Sequence, residues 1–273
     1  MKTTPFFIFS AFLLLTSCNE KHERSYKDND KSSWVEKVVN KGNGPLKQKE
    51  ISGSFDEIEV SQAIDAEIIK SETERVVISA PESIIDEVLA EIDRGKLHIH
   101  YKTGIRVTNM NRVTAKIYTK DFTKLKANSA ASITVKEKFV QEKTEIEASS
   151  AANISGDLEA NDFEISIGSS SSFSGKIWAV DLDIEASSAA SIDISGKAKN
   201  AEISSSSGSS VSAKNVIAEN VKAEASSGAS VEISATAKAD ASASSGGSVN
   251  IYKKGPVTTI NKRESSGGSV SVE

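Results

Sequence analysis

Three groups of residues in this 273-residue chain have types and spacings that could do chemistry. His98 and His100 stand two apart in an alternating stretch, so their imidazoles share one face of a strand, as two metal ligands would. The only other histidine is His22, and no Asp/His cluster completes a ligand set, so the pair reads as exposed strand histidines. A second group is acidic: Glu145, Glu164, Asp183 and Glu202 recur at a constant offset, with Asp162 and Asp181 beside them. Stacked carboxylates repel one another, and a divalent cation or cationic partner would relieve that repulsion. Lys143, Lys222 and Lys238 are interspersed, however, and the calcium-binding Gly-Asp nonapeptide is absent. The face therefore reads first as solvated; no metal site is predicted, and Glu164, Asp183 and Glu202 are the candidates if a cation binds. The third group is serine, which is abundant but has no base placed to activate it, so no catalytic residue and no cofactor are predicted.

One further residue carries chemistry of another kind. Lys2 followed by the apolar run from Phe6 to Leu15 has the shape of an export signal and is short for a permanent membrane span. Directly after it, Leu15-Thr16-Ser17-Cys18 matches the bacterial lipobox, which makes Cys18 the expected lipidated N-terminus. Three acyl chains, at ~0.8 kcal/mol per buried methylene, would hold it to a membrane permanently. Cys18 is the single cysteine, so no intramolecular disulfide is available. The expected address is the outer membrane, on its periplasmic or cell-surface face.

The elements that position these residues are set by a repeated phrase. Ala148-Ser-Ser-Ala-Ala-Asn-Ile154, Ala186-Ser-Ser-Ala-Ala-Ser-Ile192 and Ala225-Ser-Ser-Gly-Ala-Ser-Val231 align with five weaker copies. Their closing apolar residues are Ile133, Ile154, Phe173, Ile192, Val211, Val231, Val249 and Val270, at steps of 21, 19, 19, 19, 20, 18 and 21. A fixed period near twenty marks a solenoid. Four places before each origin the residue is Ser: 129, 150, 169, 188, 207, 227, 245 and 266. The next two positions are always Ala, Gly or Ser, which implies a crowded corner, and the serine hydroxyls are expected to satisfy backbone groups there. A flat, sugar-binding hydroxyl surface is the sharper reading of that ladder. Sugar platforms use aromatics, and the array offers few beyond Trp178 and Tyr252.

Eight places before the origin stand Leu125, Ile146, Ile165, Ile184, Ile203, Ala223, Ala241 and Lys262, an inward column that ends in a charge at the last copy. The predicted fold is all-β, a parallel β-helix of about 19–21-residue coils, expected to be right-handed, with Gly156, Gly175 and Gly196 at turns. Residues 1–17 are the signal, 18–49 the lipidated cysteine and flexible tether, and 50–273 the β-helix, split into irregular leading coils at 50–121 and eight Ser-rich repeats at 122–273. Within the leading coils, strands are expected at Lys96–Tyr101 and around Val113–Ile117. Pro81 to Ile92 fits either a short helix or a strand edge. With a formal charge of −5 and a pI near 5.5 the chain has no basic footprint for nucleic acid.

Phe55-Asp-Glu-Ile-Glu-Val60, Gly95-Lys-Leu-His-Ile99 and the Ser-rich copies that follow together resemble the head GIN domain family, adhesin-like autotransporter heads of Bacteroidota lipoproteins. The resemblance spans about residues 50–270 and implies a β-helix on a lipidated tether with no catalytic residues to carry over. The expected function is non-enzymatic: an envelope lipoprotein that presents a β-helical surface for adhesion, its partners the membrane and an envelope protein or glycan. The alternative is a polysaccharide-binding or polysaccharide-degrading β-helix that uses Asp162, Glu164, Asp181 and Asp183.

Overall fold

Alternation of small apolar and polar residues lets each segment of the array lie as a strand with one row inward, and no single coil can bury that row alone. In the computed structural model, which describes residues 37–39, 44–107 and 113–273, the coils stack as a parallel β-solenoid. Cys18 and its flanking signal, like the tether residues 19–36 and 40–43, lie outside the described residues.

One coil shows the plan. The strand Ser172–Ala186 pairs in parallel with Ser191–Ser205, placing Phe173 beside Ile192, Asp183 beside Glu202 and Ile184 beside Ile203. Within Ser172–Ala186 the buried residues are Phe173, Ile177 and Ala179, then Leu182, Ile184 and Ala186. The alternation slips by one at Val180-Asp181, where the chain rounds a corner. A glycine kink precedes it: a Cβ on Gly175 would lie 1.9 Å from the Gly156 carbonyl oxygen, so only glycine allows the coils to meet there. This kink, the corner and the repeated Ser turn divide each coil into three sides. We call 182–186 and its equivalents the first side, 191–194 the second and 177–179 the third. The inward column from Leu125 to Ala241 is fully buried, as its residue types require, whereas Lys262 and Glu264 in the last coil are exposed.

The Ser turn differs from expectation in how it satisfies its backbone. Ser188 and Ala189 both have positive φ, 53° and 60°, and the same holds for all eight copies, with glycine second in the later ones. Two left-handed residues in a row make a type I′ turn, closed here by Ala190 N–H to Ser187 C=O at 3.1 Å. Coils are also tied through the turn: Ala189 N–H donates to Ser207 C=O at 3.1 Å, and Ser170 N–H to Ser188 C=O at 2.9 Å. The ladder serines project to solvent, and their hydroxyls make no hydrogen bond among the described residues. Backbone therefore does the work expected of the hydroxyls. The hydroxyls that do bond belong to the inward neighbour, as at Ser209, whose Oγ donates to Ala186 C=O at 2.9 Å.

The leading coils continue the stack but not in chain order. Glu57–Val60 lies between Lys124–Ala127 and Lys96–Tyr101, parallel to both, and Asp65–Lys70 lies likewise between Ser132–Val135 and Thr114–Thr119. Antiparallel strands then close that end: Leu46–Ser52 on Arg75–Pro81, Arg75–Pro81 on Thr114–Thr119, and Val88–Asp93 on Lys96–Tyr101. Of the two options for residues 81–92, the strand edge prevails, preceded by one 3-10 turn at Ile85–Glu87. β-Branched Ile84, Ile85, Val88 and Ile92 favour that outcome. The main sheet begins at Leu46, four residues ahead of 50, and Lys37–Val39, within the span expected to be tether, pairs in parallel with Ile105–Val107.

Candidate functional site

The outward residues of the first side form two columns fixed by strand register. One runs Lys124, Glu145, Glu164, Asp183, Glu202, Lys222, Asp240, Asn261. The other, at the corner, runs Lys143, Asp162, Asp181, Asn200, Asn220, Lys238. Between them lies an open hollow of about 590 Å³ whose walls include Asp162, Glu164, Asp181, Asp183, Glu202 and Lys222. The structure thus brings Glu164, Asp183 and Glu202 together as register neighbours.

Their electrostatics are uneven. Lys143 Nζ sits 2.9 Å from Glu164 Oε1 and 3.9 Å from Asp162 Oδ2, and Lys222 Nζ sits 2.6 Å from Glu202 Oε1. Those contacts raise the pKa of both lysines. Lys124 bridges Glu145 and Glu147 at 2.7 Å each, and Asp181 accepts a 2.7 Å hydrogen bond from Asn200 Nδ2. Of the carboxylates in the two columns, Asp183 alone has no ion-pair or hydrogen-bond partner among the described residues. Burial, then the neighbouring Glu202, Glu185, Glu164 and Asp162, push its pKa up. No three His, Cys, Asp or Glu side chains converge in metal-holding geometry among the described residues. The arrangement is a charge ladder with one unrelieved member.

The histidine pair lies elsewhere, on Lys96–Tyr101 next to the first leading coil. The rings stack with centroids 4.2 Å apart. His98 Nε2 is 3.1 Å from Ser61 Oγ, while His100 Nε2 faces Glu91 Oε2 at 3.3 Å and its Nδ1 meets the Tyr101 carbonyl at 2.8 Å. Burial and the adjacent His100 lower the His98 pKa, so it stays neutral and could accept a proton. The nearby Glu59 carboxylate is held by Lys96 and by Asn128 Nδ2 at 2.8 Å. Its pKa is pushed up by burial but ends below the ordinary value, because the hydrogen bond from Lys96 and the neighbouring lysine charges outweigh that burial.

A serine beside a neutral histidine is the first step toward a nucleophile, but an acyl-transfer site also needs a group that orients the base. Among the described residues nothing hydrogen-bonds His98 Nδ1. Ser61 and Glu59 were not legible as neighbours of His98, because they meet it only through the pairing of residues 57–60 with 96–99, and Asn128 reaches Glu59 only through the pairing of 124–127 with 57–60.

Among the described residues no helix is long and apolar enough to cross a membrane. Several solved structures share the fold at low identity. An adhesin, described as "putative", from Parabacteroides merdae matches with TM-score 0.78 at 21% identity, over 86% of this chain and 99% of its own. A "putative lipid binding protein" from Parabacteroides distasonis matches with TM-score 0.76 at 19% identity, over 87% of this chain and 100% of its own. A second P. distasonis "putative adhesin" matches with TM-score 0.76 at 20% identity, over 84% of this chain and 99% of its own. No curated protein sequence matches the chain. The family model described as "Putative auto-transporter adhesin, head GIN domain" matches residues 54–255, and with the solenoid and its Ser turns in view, the chain belongs to that head GIN domain family.

Proposed function

We propose that the protein is a non-catalytic, adhesin-like binding protein of the cell envelope, tethered to the outer membrane by a lipid on Cys18. The observation that carries the reading is the division of labour along the coil. What repeats is packing, turn and ladder, and what varies from coil to coil is an outward surface that eight stacked coils spread over roughly 40 Å. Such a surface suits an extended partner, an envelope protein or a glycan. The acidic first side argues for binding over cleavage. Glycoside hydrolysis uses two carboxyl groups on opposite sides of the scissile bond. These carboxylates instead stand side by side on one sheet face, with lysines clamped between them.

Two measurements test the proposal. Cys18→Ser should move the protein from the membrane fraction to the soluble fraction and remove a lipid-sized mass from the mature N-terminus; retention in the membrane would reject the anchor. Full-length protein displayed on cells should promote attachment to envelope or extracellular material above the level of cells lacking it. Equal attachment would reject the binding function.

A further inference from the structure

The third side carries an exposed indole, whereas the phenylalanines Phe55, Phe122, Phe139, Phe163 and Phe173 are all buried in the core. Trp178 is 42% exposed, and its register column reads Val140, Glu159, Trp178, Lys197, Ile217. Val140 and Ile217 are exposed at 67% and 40%. Apolar groups thus alternate with charged ones over four coil steps, about 19 Å. Trp178 stands between two open hollows: one of about 880 Å³ toward Val140, whose lining is acidic with Asp56, Asp121 and Glu142, and one of about 460 Å³ toward Lys176, Lys197 and Asn215, which is the one that suits an anion.

Around the second hollow lysines outnumber carboxylates, Lys138, Lys176 and Lys197 against Asp157 and Glu159. Glu159 is taken by Lys138 at 2.5 Å, and Asp157 accepts the backbone N–H of Lys176 at 3.1 Å. The ammonium groups of Lys176, Lys197 and Lys199 are exposed and have no acidic partner among the described residues. Free cations beside a bare indole fit a ligand that has both an apolar face and negative charge. A pyranose ring offers a C–H face to an aromatic, its hydroxyls suit Asn215, and a uronic-acid carboxylate suits the lysines. An extended chain of such sugars advances by a length comparable to the coil spacing, so successive units can follow the column. A carboxylated chain is also steered away from the acidic first side toward this one. A second copy packed symmetrically on this stripe would set the free lysines of both copies close together, and like charges so placed are repelled.

We infer that the third side around Trp178 is a platform for an acidic polysaccharide, with the indole stacked on a sugar ring and Lys176 and Lys197 holding carboxylates. The inference rests on the binding reading above and names its ligand class.

The test is titration of full-length protein in detergent with polygalacturonate, dextran as the neutral comparison and a single-stranded DNA oligomer as a non-sugar polyanion. Polygalacturonate should bind, more weakly as salt rises, with dextran and the oligomer at least tenfold weaker. Trp178→Ala should weaken polygalacturonate about tenfold, and Lys176→Glu with Lys197→Glu should weaken it further. Glu185→Gln, on the first side, should leave it unchanged. Thermal melts of all variants should match the parent, since each site is exposed; a variant that fails to fold is replaced by Trp178→Phe, expected to retain part of the affinity. No polygalacturonate binding, binding insensitive to Trp178→Ala, equal binding of dextran or the oligomer, or a Trp178-dependent dimer in sedimentation each overturns the inference. If cells displaying the protein still attach to envelope material in those cases, only the ligand assignment fails; if they do not, the binding function fails with it.

Discussion

Tyr101 is 3% exposed, and its hydroxyl has no hydrogen-bond partner among the described residues. Burial pushes its pKa up to about 12, so it stays neutral and unsatisfied. An unmet buried hydroxyl costs about 1–3 kcal/mol. Tyr101→Phe keeps the ring and removes that cost, and chemical denaturation should show a gain of about 1 kcal/mol; a loss would mean the hydroxyl has a partner such as an ordered water. Asp183 poses the opposite case, a charge that its neighbours oppose. Its folded pKa lies above the unfolded one, so its ionisation destabilises the fold at neutral pH, and the penalty fades as pH falls and the carboxyl is protonated in both states. Asp183→Asn should therefore stabilise the protein at pH 7 by about 0.3–0.5 kcal/mol after discounting for solvent screening, with no gain near pH 3. A gain that persists in acid would place the effect in packing. The periodicity alone put Asp183 in line with Glu164 and Glu202, because a constant coil length makes column neighbours readable. Which of the three lacks a lysine was not readable, since Lys143 and Lys222 reach across coils with side-chain rotamers that no spacing encodes.

At the scale of the element, turn and kink use small residues for different reasons. Gly208 has φ of 72° and open space where a Cβ would go, and its equivalent in the preceding coil is Ala189 at φ 60°. Gly208→Ala should therefore cost only the left-handed penalty, about 1–2 kcal/mol. A Cβ on Gly175 would instead enter the Gly156 carbonyl at 1.9 Å, and parallel coils cannot part there without losing ladder hydrogen bonds. Gly175→Ala should cost about 3 kcal/mol or more, by overpacking combined with broken pairing. Because a solenoid can open locally, hydrogen exchange is the sharper measurement. Amides of 154–156 and 173–177 should lose protection in Gly175→Ala while those beyond 230 keep it, and uniform loss would indicate global unfolding instead. The coils themselves were legible down to their inward columns, because stacking demands the same residue size at each level. The type I′ geometry was not, since Ser-Ala is an uncommon pair for two left-handed residues. It is supported in six of the eight copies, from Ala130 to Gly228, by a turn amide that also bonds to the next coil.

At the scale of the whole molecule the two ends of the stack are finished differently, and sequence disclosed only one. The leading end is closed by antiparallel strands that fold back from residues 46–52, 75–81 and 88–93, an arrangement hidden because these pairings are not periodic. At the trailing end Thr259–Glu264 and Ser269–Val272 pair with the coil before them, and among the described residues their other edge is unpaired. Unpaired edges recruit further strands unless charge prevents it. Here Lys262 and Glu264 occupy the places of the inward Ile/Ala columns, and Glu264 Oε1 accepts Val270 N–H at 2.6 Å, folding across the open core. These two charges act as the stop of the array. Lys262→Ile combined with Glu264→Val would continue both columns and leave an apolar, hydrogen-bonding end with nothing to repel a second end. Sedimentation velocity across a hundredfold concentration range should show the double variant associating end to end while the parent is unchanged over the same range. The double variant loses one lysine and one glutamate together and so keeps the net charge of the parent, which ties any association to loss of the charged pair itself. A double variant that sediments like the parent at every concentration would show that the bare edge, not the charged pair, already resists pairing.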